Sequence, residues 1–151
     1  MRTYLVVIDD SPEAEIALRF AARRAVKTGG NVEILALIPR QEFVAWGGVM
    51  ATIEEEARQR AEALVARAAG TLLSESGITP SITLRDDDGP SVVRAMIAAN
   101  PDIAALVIGA AASGPPGPLV SHFSGHDAGA MRVPVMIIPG SLDMEAIDRL
   151  S

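Results

Sequence analysis

Val6-Val7-Ile8-Asp9-Asp10-Ser11-Pro12-Glu13 is the stretch on which the reading of the whole chain turns. An apolar run that starts at Tyr4 stops at two carboxylates, and helix-start signals follow at once. Tyr4 to Ile8 is a short apolar run and reads as a buried strand. Ser11 offers an N-cap, Pro12 suits the first helical position, and Glu13 complements the positive end of a helix. Ala14, Ala17, Leu18, Ala21 and Ala25 then recur at helical spacing until Thr28-Gly29-Gly30 stops the pattern.

The alternation continues downstream. Val32 to Ile38 reads as a second strand ended by Pro39. Residues 40–51, RQEFVAWGGVMA, lack a period and are expected to form a loop holding Phe43 and Trp46. Thr52-Ile53-Glu54-Glu55 has capping-box form. Ala57, Ala61, Leu64, Val65, Ala68 and Leu72 continue it as an apolar stripe, and Glu54/Arg58 and Glu56/Arg60 make a solvated face. Gly77 ends that helix, and Ile78 to Leu84 reads as a third strand. Asp86 to Pro90 is a turn, Ser91 to Ala99 a short helix, and Ile103 to Ile108 the most apolar strand. A segment rich in Gly, Pro and Ala leads to a fifth strand, Val133 to Ile138, and a short terminal helix capped by Ser141 or Asp143. No internal repeat or linker interrupts the 151 residues, so one domain is expected. Strongly apolar strands alternating with helices predict an α/β fold, a parallel sheet covered on both faces with right-handed crossovers. In such sheets ligands bind beyond the carboxyl ends of the strands, where the strand order reverses. Asp9, Asp10, Asp86 to Asp88 and the Gly109 loop all map to that edge.

Composition excludes several classes. Cysteine is absent, which removes disulfides and thiolate metal sites and fits a reducing compartment. The net charge is −6 and aromatics are 3%, a poor basis for nucleic-acid binding. The opening apolar run is too short for a signal peptide. Residues 103–112 are half of the ~20 needed to span a bilayer, so a cytoplasmic protein is expected.

The acid pair is similar to that of the receiver domain of two-component signalling, which also has five β/α units. That chemistry needs a Lys near the end of strand five to neutralise developing charge. The chain has one lysine, Lys27, at the far end of helix one, and strand five ends Ile137-Ile138-Pro139-Gly140. His122 and His126 lie four apart, a spacing that suits a metal only on a continuous helix. In a Gly-rich segment beside Asp127 they read as an exposed polar turn, and no metal site is expected. Neither a G-x-S-x-G nucleophile elbow nor a G-x-x-x-x-G-K-[ST] loop is present. No catalytic residue is assigned, and the expectation is a protein that is not an enzyme.

With these parts placed, the chain resembles the universal stress protein family along nearly its whole length. The family opens with an apolar strand, an Asp, usually Gly, then Ser and an acid; here Asp9-Asp10-Ser11-Pro12-Glu13 follows, with Asp10 in the Gly position. Gly29-Gly30-Asn31-Val32, Asp88-Gly89-Pro90, Leu106-Val107-Ile108-Gly109 and Val133-Pro134-Val135-Met136-Ile137-Ile138 match its later turns and strands. The resemblance implies strand order 3-2-1-4-5 in a three-layer, five-stranded parallel sheet. It also implies a homodimer through strand five, Val133 to Ile138, and a role in stress response.

ATP-binding members carry G-x2-G-x9-G-[ST] after strand four, whose backbone amides meet phosphates. Gly109 matches the glycine ending that strand, and Gly114 and Gly117 have the first spacing. Nine residues on stands Asp127; Gly125 falls two places early and is followed by His126. Pro115, Pro116 and Pro118 remove further amide donors, and Asp10 adds negative charge. Two readings therefore stay open. The first is a stress-response protein acting by binding, through its dimer surface and this loop. The second is an ATP-binding protein that takes the nucleotide with Mg²⁺, with weak or no hydrolysis. In it, Asp9 and Leu37 would lie at the adenosine end and Gly109, Gly114, Gly117 and Gly125 by the phosphates.

Overall fold

The computed structural model describes residues 1–38 and 47–151, the side chains of 47–50 excepted. Pro39 as a strand end, and Phe43 and Trp46 in the expected loop, lie outside the described residues. The elements alternate as β1 (Thr3–Ile8), α1 (Pro12–Thr28), β2 (Asn31–Leu37), α2 (Gly47–Ser76), β3 (Ser81–Arg85), α3 (Gly89–Ala99), β4 (Ile103–Ala110), α4 (Pro118–Phe123), β5 (Val135–Pro139) and α5 (Met144–Leu150). The strands form one parallel sheet in the order β3-β2-β1-β4-β5.

The order follows from burial. Every residue of β1 is buried, and Leu5 and Val6 are fully so, as is Leu106 of β4; these strands take the centre. The side chains of β1 alternate between two cores. Tyr4, Val6 and Ile8 face α1 and α2, against Ala17, Ala21 and Val65. Leu5 and Val7 face α3 and α4, against Val93, Ile97 and Phe123. The run of alanines on α1 lets that helix approach the sheet closely, so an aliphatic core with few aromatics still fills.

Several boundaries differ from the sequence expectations. The helix α2 begins at Gly47, so Thr52 lies within it and does not cap it. A capping box works only where the preceding amides are unbonded, and here the helix already runs through them. The strand β3 begins after Pro80, and β5 begins after Pro134, since a residue without an N–H cannot donate to a ladder. The short helix α4 condenses within the Gly/Pro segment, with Pro118 at its first turn. Of the two proposed caps of α5, Asp143 serves: its carboxylate accepts the Ala146 amide at 2.8 Å. Among the described residues no helix is long and apolar enough to cross a membrane.

Candidate functional site

The strand order reverses between β1 and β4, since β1 connects outward to β2 on one side and β4 to β5 on the other. A cleft of about 250 Å³ opens at that point. Val7, Ile8 and Asp9 of β1 and its end, Leu37 of β2, and Ile108 and Gly109 of β4 line one side. Ser11, Glu13 and Ala14 enter from the start of α1, and Pro116 to Val120 close the far wall.

The local chemistry explains this arrangement. Asp9 ends β1 by an Asx turn: its Oδ1 accepts the Ser11 amide at 2.9 Å and also the Ser11 hydroxyl. Ser11 in turn caps α1, its Oγ accepting from Ala14 N. Asp9 therefore serves the opening of a helix, engaged through its Oδ1 alone among the described residues. Beyond β4 the Ala111 amide is given to the Pro116 carbonyl at 3.1 Å, closing the 111–116 loop on itself. Gly117 takes φ +119°, a region other residues avoid, and turns the chain into α4.

Of the residues singled out in the sequence, the cleft unites Asp9, Leu37, Gly109 and Gly117. Gly114 has φ +73° and open space around it, and Gly125 packs over Ser121; both stand apart from the lining. Glu13, Pro116, Leu119 and Val120 were not anticipated. The apolar pair Leu119-Val120 directly after a proline was a signal for a short helix facing the sheet.

A junction of three elements borders the cleft. A Cβ placed on Gly89 of α3 would lie 2.9 Å from Leu37 Cδ1 and 3.3 Å from Leu119 Cδ2, so α3 abuts two cleft residues. The start of α3 is itself fixed: Asp88 accepts the Ser91 hydroxyl at 2.8 Å and the Ser91 amide at 3.2 Å. These Ser91 bonds, hydroxyl first, hold the Asp88 carboxyl below its ordinary range.

One turn further, Asp127 Oδ2 accepts from His122 Nε2 at 2.6 Å and from Arg94 of α3. The His122 bond, with the Arg94 charge adding to it, lowers the Asp127 pKa against a cost of burial. His126 lies beyond the end of α4, so the two histidines do not share a helix face. Among the described residues no three metal-ligating side chains converge.

A second cavity, about 190 Å³, runs between α1 and α2 and is floored by Leu18, Leu64 and Leu72. The cleft at the switch point is the better candidate, because the ends of three strands and loop backbone converge there, whereas the second touches one strand end, at Ile8 and Asp9, and is otherwise lined by two helices.

Residues 1–139 match the profile of the Universal stress protein family. No curated protein matches the chain. Among solved structures, the universal stress protein UspA from Lactobacillus plantarum superposes with a TM-score of 0.75 at 16% identity, covering 91% of this chain and 97% of its own. A universal stress protein from Archaeoglobus fulgidus in complex with dAMP gives 0.63 at 20% identity, covering 91% and 97%. A family protein from Arabidopsis thaliana with AMP bound gives 0.53 at 15% identity, covering 92% of each chain. At these identities the likeness establishes the fold.

Proposed function

The chain belongs to the universal stress protein family, and from that premise we propose that it is a non-catalytic, cytoplasmic stress-response protein whose cleft takes an adenine nucleoside monophosphate. The observation that carries this reading is the lining of the cleft: an apolar wall of Val7, Leu37, Ile108 and Leu119, two carboxylates, Asp9 and Glu13, and no basic side chain among the described residues. A flat base suits the apolar wall, and ribose hydroxyls suit carboxylate acceptors. A triphosphate brings several negative charges to a rim that is already acidic, and prolines 115, 116 and 118 withhold amides there. The relatives solved with dAMP and AMP supply the nucleotide class in this reading.

The edge strand β5 supports a homodimer, with Ile137 exposed on it as material for pairing with a second copy.

Titration calorimetry with adenosine, AMP and ATP, with and without Mg²⁺, tests the proposal. AMP is expected to bind about tenfold more tightly than ATP. Tighter binding of ATP with Mg²⁺, or no uptake of any of them at millimolar concentration, would overturn it.

A further inference from the structure

We propose that Asp127 is a positioning residue for the cleft: with His122 and Arg94 it forms a clasp that fixes the α4 wall against α3 and so sets the gap between Leu37 and Leu119. The inference rests on the reading of the cleft as a ligand site, and it concerns residues that do not line it.

The geometry defines the clasp. His122 Nε2 and Arg94 Nη1 are 3.0 Å apart, and both reach the same oxygen, Asp127 Oδ2. Two donors that converge on one acceptor must come close to one another, so their proximity needs no bond between them. The Nε2–H form of the imidazole satisfies this arrangement, and the imidazolium satisfies it too. His122 also meets Phe123 edge to face, with ring centroids 4.9 Å apart, and Phe123 is 1% exposed in the core under α4. The clasp therefore joins α3, α4 and the turn after α4 at a point anchored in the core.

The connection to the cleft is short. Arg94 stands on α3, whose first residue, Gly89, leaves no room for a methyl group against Leu37 and little against Leu119. His122 follows Leu119 and Val120 on the six residues of α4. An α4 this short makes few hydrogen bonds of its own, and its cap residue Gly117 provides no side-chain bond. Its placement must come from outside: from Val120 and Phe123 in the core, and from the clasp. The charged groups facing His122 are Asp127, Arg94 and Asp88, the N-cap of α3.

Asp127→Ala and His122→Gln separate the roles, since glutamine keeps an N–H donor at the same reach. Two readouts are used: AMP affinity by calorimetry, and the NOE between Gly89 Hα and the Leu119 methyl groups. Asp127→Ala should weaken AMP binding about fivefold, as the binding-competent wall becomes a minor population, and should lose the NOE. His122→Gln should retain both, while the melting temperature of either variant stays near that of the parent because the clasp is exposed. If the parent protein takes up no AMP, the reading of the cleft fails, and the NOE alone decides the clasp. An NOE in Asp127→Ala equal to the parent's would overturn the inference.

Discussion

A methyl group on Gly109 would sit 2.2 Å from the carbonyl oxygen of Glu13, so β4 and the first turn of α1 meet backbone to backbone beside the cleft. Packing by itself requires glycine at this position, whatever the cleft binds. Gly109→Ala should therefore destabilise the fold by about 1–3 kcal/mol whether or not a nucleotide is present. Urea denaturation of the ligand-free protein measures this, and an unchanged midpoint would show that the strand and helix can separate at no cost.

Ser11 links the end of β1 to α1 through Asp9 on one side and Ala14 on the other. Ser11→Ala should cost about 1 kcal/mol of stability. The same variant releases Asp9 from its hydroxyl partner, so AMP affinity should change as well. Denaturation and calorimetry on one preparation check both.

Asp148 ties α5 to α1 through Arg19 and Arg23. Its Oδ2 accepts from Arg19 at 3.2 Å, and Arg23 Nε stands 3.1 Å from Oδ1 as an ion pair without hydrogen-bond alignment. Arg19, first by its hydrogen bond and then by its charge, holds the carboxyl below its ordinary value. A depressed folded pKa means the contribution is full above the unfolded value of about 3.9 and is lost as the pH falls through the folded one. Asp148→Asn should flatten the acid limb of the stability profile in that window. An acid limb identical to the parent's would remove Asp148 from the account.

Leu37 lines the cleft at the rim of the core. It is partly exposed at the mouth of the cleft, and its loss removes apolar contact without opening the deep core. Leu37→Ala should weaken AMP by about 1 kcal/mol, or roughly fivefold. An equal loss of affinity for free phosphate would argue against a base on the apolar wall.

The edge strand β5 offers a test of assembly. Ile137 is 38% exposed there. Ile137→Asp should convert a dimer to a monomer in light scattering, since an unpaired charge at a two-fold contact is met by its own copy. A parent protein that is already monomeric at high concentration would end the dimer proposal.

The amino-acid sequence by itself determined the α/β class, the five strands and the helix start at Ser11. Those depend on periodicity and caps, which act over a few residues and are written in order. It also showed that the loop after β4 lacks amide donors at residues 115, 116 and 118, because proline removes its N–H wherever it stands. The tertiary structure alone decided which residues share the cleft. Leu37, Gly89 and Leu119 come from three separate elements, and Arg94 lies 33 positions from the Asp127 it holds. The family's motif implies Gly114 and Gly125 by phosphates; in the structure both stand apart from the cleft lining, and α4 has condensed within the loop between them. Contacts between distant segments are set by how helices stack on a common sheet, and no local pattern records that stacking.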